Sequence, residues 1–341
     1  MSYSLKSRLR SGLRLITLLA LMAGTAAAQP SPVIRVDVNL VRVVATVKNS
    51  AGELVKALSK DDFEISDNGV KQEIAVFERQ TEQPLSVVLM VDTSGSTGKD
   101  IKFETDSATR FLRALLSEGN TRDSAAIYSF NFDITLQQDF TRNLRALESA
   151  FKQFHSEGAT ALYDAIRYGA LALEPREGRK VIVVVTDGAN TMPNSIDYRQ
   201  ALEAAQMADA VIYPVVVIPI TNDAGRSLGG EHVLSLMAQG TGGKTFAAAL
   251  GEELDQAFAD IISELRTQYM LAYYPRGVPP TTKRFHNLAV NVKRPELQVS
   301  ARNGYYGEIE ERKSDPDARI SITPERPAPP PPPDRKKRTD K

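Results

Sequence analysis

Cysteine does not occur in the 341-residue chain, so neither disulfides nor thiolate metal ligands are available to it. That absence leaves the compartment open, because a core of this size folds without covalent staples. Neither sign of charge is in excess. The 42 Lys and Arg face 42 Asp and Glu, and a balanced chain has no electrostatic pull towards nucleic acid or an anionic surface. No Gly-x-x-x-x-Gly-Lys stretch is present to cradle a nucleotide, and Ser94, the serine of interest below, stands in no Gly-x-Ser-x-Gly elbow. Beyond residue 28 no apolar run approaches the roughly 20 residues of a membrane-spanning helix.

The first 28 residues read as an export signal. Lys6, Arg8, Arg10 and Arg14 precede an apolar run from Leu15 to Ala23, and Ala26-Ala27-Ala28 stand before Gln29-Pro30; these are the three parts of a cleavable leader. The run is short for an uncleaved anchor, and without cysteine a lipid-modified amino terminus is excluded. Removing these residues leaves 38 basic against 42 acidic groups, a net charge of −4. The expectation is a protein exported from a bacterial cell, periplasmic or secreted to the surface, with no membrane span after cleavage and no nucleic-acid partner.

What the chain does contain is an apolar strand, Leu85 to Val91, running straight into Asp92-Thr93-Ser94-Gly95-Ser96. One carboxylate and two hydroxyls at alternate positions of a turn suit a hard cation, since magnesium takes oxygen ligands in near-octahedral array. The pentapeptide alone is equally a capped turn, with Asp92 and Ser94 bonded to nearby backbone N–H groups. Two further oxygen donors follow in order: Thr160 within Gly158-Ala159-Thr160-Ala161-Leu162, and Asp187 after the second apolar strand, Val181 to Thr186. Two carboxylates and three hydroxyls leave positions for water or for an acidic group of a partner. That chemistry points to binding rather than turnover. Ser94, His155 and Asp187 could be drawn as a hydrolytic triad, but His155 lies in a polar stretch, Lys152 to Glu157, that reads as a loop.

On these motifs, residues 85 to about 265 resemble a von Willebrand factor type A domain. The resemblance implies that Asp92, Ser94, Ser96, Thr160 and Asp187 hold a divalent ion, magnesium or else manganese or calcium. It also implies a protein or matrix ligand that offers an Asp or Glu carboxylate to the ion, and an affinity change driven by movement of the last helix.

Patterning gives the fold independently. Ile101, Thr105, Ala108, Phe111, Leu112, Leu115 and Leu116 keep helical spacing. Strands at Ser124 to Phe130, Val181 to Thr186 and Val211 to Ile218 alternate with helices after Thr160, at Ala201 to Ala210 and around Val233 to Ala238. A short strand near Phe246 and a helix from Glu252 to Arg266 complete the series. The expected class is α/β: a doubly wound, mostly parallel sheet with helices on both faces, whose ligands sit beyond the carboxyl ends of the strands.

Flanking segments are β-rich: Val33 to Val47, then Phe63 to Ile65 and Ile74 to Phe77 around Asp67-Asn68-Gly69 upstream, and Tyr269 to Tyr274, Leu288 to Val292 and Leu297 to Ala301 downstream. Neither set has enough strands alone, so one small all-β sandwich built from both is expected. The organisation is then a signal at 1–28, a β segment at 29–82, the A-type domain at 83–267, a second β segment at 268–307 and a disordered, Pro-rich basic tail at 308–341. Asp61-Asp62-Phe63, Gln268 to Tyr274 and Ala301 to Tyr306 extend the likeness, over about residues 36 to 307, to a bacterial subgroup related to the A domain and known mainly from acidobacteria. The sequence thus predicts a metal-dependent adhesion or recognition module, with an envelope scaffold that holds a structural ion as the rival reading.

Overall fold

The computed structural model describes residues 40–79, 83–193, 195–218, 227–278 and 284–307. The expected signal, the residues up to 39 and the basic tail from 308 lie outside the described residues.

Three runs of apolar residues make the centre. Strands β5 (Leu85–Asp92), β8 (Arg179–Thr186) and β9 (Ala210–Ile218) are buried along nearly their whole lengths, the pattern of parallel strands covered on both faces. With β6 (Ser124–Phe130), β7 (Ile134–Thr141) and β10 (Phe246–Ala249) they form a sheet in the order β10-β9-β8-β5-β6-β7. All its pairs are parallel except β6–β7. Successive strand residues face opposite sides, so Val87, Leu89 and Val91 join one core while Val88 and Met90 join the other. Helices α1 (Ile101–Glu118), α2 (Leu144–Ala150) and α6 (Glu252–Thr267) cover the first face, where the rings of Phe111 and Phe258 stack at 4.8 Å. Helices α3 (Leu162–Leu173), α4 (Tyr198–Met207) and α5 (Leu228–Thr241) cover the second. Strand β7 and helix α2 carry no apolar pattern strong enough to be read from sequence: β7 is an edge strand with no fully buried residue.

The flanks form two more sheets. One has the order β13-β1-β11-β4, from Gln298–Ala301, Val41–Lys48, Tyr269–Tyr273 and Ile74–Arg79; the other is β14-β12-β2-β3, from Gly304–Tyr306, Phe285–Val292, Phe63–Asp67 and Val70–Gln72. Every pair is antiparallel, each sheet draws strands from both flanks, and the two share one core containing Val43, Ile65, Leu271 and Val290. The α/β unit leaves from β4 and returns into β11, and these strands are direct neighbours, with Glu78 opposite Met270. Close ends are what an insertion into another fold requires.

The hairpin differs from expectation. Asn68 and Gly69 take positive φ, 47° and 80°, the backbone of a two-residue hairpin turn, but the partner of β2 is β3, and Ile74 to Phe77 cross to the other sheet to pair with β11. Burial decides this: Phe77 packs against Phe63 and Tyr269, with ring centroids 5.9 and 5.8 Å away. Asp67 is fully buried in the same core and accepts hydrogen bonds from the hydroxyls of Tyr273 (2.8 Å) and Tyr305 (2.9 Å), with His286 Nδ1 at 3.0 Å. Among the described residues no helix is long and apolar enough to cross a membrane.

Candidate metal centre

Strands β5 and β8 are neighbours, yet the chain departs from them in opposite directions, to β6 and β7 after the first and to β9 and β10 after the second. Where strand order reverses, the connections part and leave a crevice beyond the carboxyl ends. Asp92 ends β5, and Asp187 follows Thr186 at the end of β8.

Asp92 is fully buried. Its Oδ1 accepts from the Ser94 N–H at 2.9 Å and its Oδ2 from the Thr186 hydroxyl at 2.7 Å. Ser94 Oγ lies 3.1 Å from Ser96 Oγ, and Ser96 Oγ donates to Asp187 Oδ2 at 2.6 Å. The Thr97 hydroxyl shares its proton between the carbonyls of Asp92 and Ser94, at 2.9 and 3.1 Å, which folds the loop into a tight turn ahead of α1. Backbone bonds dock the segment that carries Thr160: Gly95 N–H to the Gly158 carbonyl (3.1 Å) and Glu157 N–H to the Thr93 carbonyl (3.0 Å). Gly158 has φ +73°, and a side chain there would strike the ring of Phe132, which lies over it and is half exposed.

Direct hydrogen bonds therefore join Asp92, Ser94, Ser96 and Asp187, while Thr160 is held beside them through its backbone, its N–H donating to Thr191 Oγ1 at 2.9 Å. His155 is exposed, and Ser94 Oγ faces Ser96. Asp164, one turn past Thr160, accepts from the Ser195 hydroxyl.

Burial pushes the Asp92 carboxyl up to about 6, against hydrogen bonds from Ser94 and Thr186 that pull it down, while Asp187 raises it further. Glu104 was not singled out in the sequence, although it shares a helix stripe with Ala108, Phe111 and Leu112, a polar residue on an apolar face. It is 1% exposed, and its Oε2 has no hydrogen-bond partner among the described residues. Helical side chains tilt towards the amino terminus, and for Glu104 that end is the Asp92–Ser96 loop. Its acidity is suppressed, first by burial and then by the charges of Asp92, Asp100 and Asp187.

This donor set fits a hard divalent cation. It consists of carboxylates and hydroxyls only, and its oxygen spacings of 2.6 and 3.1 Å bracket the edge of ~2.9 Å of an octahedron with magnesium–oxygen arms. An unpartnered carboxylate oxygen stands behind it. Among the described residues no three His, Asp or Glu converge closely enough to cage an ion by themselves, so hydroxyls and water would have to complete any shell.

The family profile of the von Willebrand factor type A domain matches residues 87–190. That stretch of the chain is similar to a von Willebrand factor type A domain. The matched stretch contains Asp92, Ser94, Ser96, Thr160 and Asp187. No curated protein matches the chain. Solved structures of similar fold include the PilB minor pilin of Streptococcus sanguinis (14% identity, 55% of this chain and 62% of that one, TM-score 0.43). Others are the vWF domain of the type V pili tip protein Mfa5 of Porphyromonas gingivalis (14%, 53% and 94%, 0.44) and a von Willebrand factor type A protein of Catenulispora acidiphila (11%, 71% and 72%, 0.45). The chain spans 62% of the length of the pilin that it resembles.

Proposed function

We propose that the chain is an exported recognition module that binds a protein or envelope ligand through a divalent ion, magnesium first, at the crevice between β5 and β8. The observation that carries the reading is the convergence of Asp92, Ser94, Ser96 and Asp187 in one hydrogen-bonded set at a topological switch point. Asp92, Ser94, Ser96, Thr160 and Asp187 would hold the ion, Asp92 also fixing the loop beneath through the Ser94 N–H. A bound ion would supply a Lewis-acidic position for a carboxylate of the partner. The exposed half of Phe132 stands next to the Thr160 segment as an apolar contact for the same partner. The activity we assign is binding.

The test is calorimetric titration of the full chain with magnesium, manganese and calcium, alongside Asp187→Ala and Ser96→Ala, with circular dichroism as the control for folding. Affinity for at least one ion in the wild type, lost in folded variants, is expected. A wild type that binds none of the three would overturn the reading. Capture from envelope extracts with magnesium, with EDTA and with Asp92→Ala then separates ion-bridged recognition from a scaffold in which the ion is structural: equal capture in all three arms favours the scaffold.

A further inference from the structure

At the opposite end of the central sheet lies a cavity of about 540 Å³ between the starts of β5, β8 and β9 and the sheet that contains β1 and β11. Strand β8 separates it from the crevice by roughly 23 Å, at about 3.3 Å per residue. Its volume is that of a small-molecule site.

The lining is cationic. Arg42, Arg122, Arg176, Arg179, Lys180 and Arg302 contribute to it. Glu177 and Asp209 are the acidic residues of the lining, with Asp209 already engaged by Arg302, while Asp123 and Glu174 act on Arg179 and Lys180 from outside it. Such an imbalance is unexpected in a chain whose total charge is zero.

Two of the guanidinium groups are also incompletely satisfied. Arg179 is 8% exposed; it donates to the Leu265 carbonyl, but its Nε has no partner. Arg302 donates to Asp209 and to the Arg42 carbonyl, and its Nε is likewise buried without a partner. Burial draws the Arg179 group down to about 10. Lys180 is also lowered by burial, against the opposing charges of Asp209 and Glu174, with Arg42 adding a smaller push in the same direction as burial. Buried N–H donors without acceptors and like charges held together both cost free energy in the empty protein, and an anion would offset both costs.

We infer that this cavity binds a small oxyanion with two or more negative charges, carried on phosphate or carboxylate groups. Guanidinium forks match both groups in geometry. The site is independent of the metal centre.

The experiment is thermal unfolding of the full chain in EDTA, so that the crevice carries no ion, with pyrophosphate, with citrate, and with sodium chloride at matched ionic strength. The variant is Arg42→Gln with Arg122→Gln, two exposed positions where folding is not at stake. Pyrophosphate or citrate is expected to raise the unfolding midpoint of the wild type beyond the chloride control. The variant should bind at least tenfold more weakly and be no less stable than the wild type without anion. The arm that gives the larger shift identifies phosphate or carboxylate. A wild type that responds no more than to chloride overturns the inference, as does an equal response in the variant.

Discussion

The hydroxyl of Thr186 donates to Asp92 Oδ2 over 2.7 Å, joining the ends of the neighbouring parallel strands β8 and β5 beneath the loop oxygens. Asp92 is thereby held from both sides, by Thr186 and by the Ser94 N–H. Thr186→Val keeps shape and removes the donor. It is expected to cost about 1–3 kcal/mol of stability, because a buried acceptor loses its partner. If the crevice holds an ion, affinity should fall by about 10–100-fold, as for other residues that orient a ligand. Urea unfolding and metal titration of the variant measure the two effects.

Stability of the ion-free protein should fall as pH rises from about 4 to 6. Burial raises the folded-state pKa of Asp92 from 3.8 to about 6, so its contribution is fully present below the unfolded value and is lost as pH passes through the folded one. The size is on the order of 3 kcal/mol. Denaturation in EDTA at several pH values, compared with Asp92→Asn, isolates this part, and the variant should give the flatter profile. Magnesium should flatten the wild-type profile in the same direction.

Glu104 pays for its place only if a cation is near. Glu104→Gln removes a carboxyl whose ionised form is disfavoured by burial and by Asp92, Asp100 and Asp187; because folding at pH 7 must either take up a proton there or bury the charge, the variant is expected to stabilise the ion-free protein by about 1–2 kcal/mol. The stabilisation gained on adding magnesium should shrink in the same variant. Equal changes with and without the ion would mean that Glu104 is only part of the helix packing.

In the flanking sheets Asp67 gathers two phenols and an imidazole. Burial, and then the hydrogen bond to Asp67, carry both tyrosines well above the ordinary phenol range, so they stay protonated donors. Asp67→Ala leaves these donors buried without an acceptor and should destabilise by about 3–5 kcal/mol, with Tyr305→Phe costing about 1–2 kcal/mol. Chemical denaturation followed by tyrosine fluorescence checks both.

Local patterning determined much of this protein. Continuous apolar runs mark β5, β8 and β9 as buried parallel strands, helical spacing marks α1, and Asp92, Ser94 and Ser96 share one loop by sequence alone. Such features depend on periodicity and on neighbours within a few positions, which a sequence records directly. Tertiary structure decided the rest. Thr186 reaches Asp92 because parallel pairing brings two strand ends together across 94 positions, and Glu104 acquires its neighbours from the direction in which α1 leaves the loop. Ile74 to Phe77 pair with β11 in the other sheet, where Phe77 packs beside Tyr269 and meets Phe63 of β2 across the shared core. The cationic cavity draws residues from Arg42 to Arg302 into one wall, and no local pattern encodes a charge cluster whose members are set side by side only by the packing of sheets.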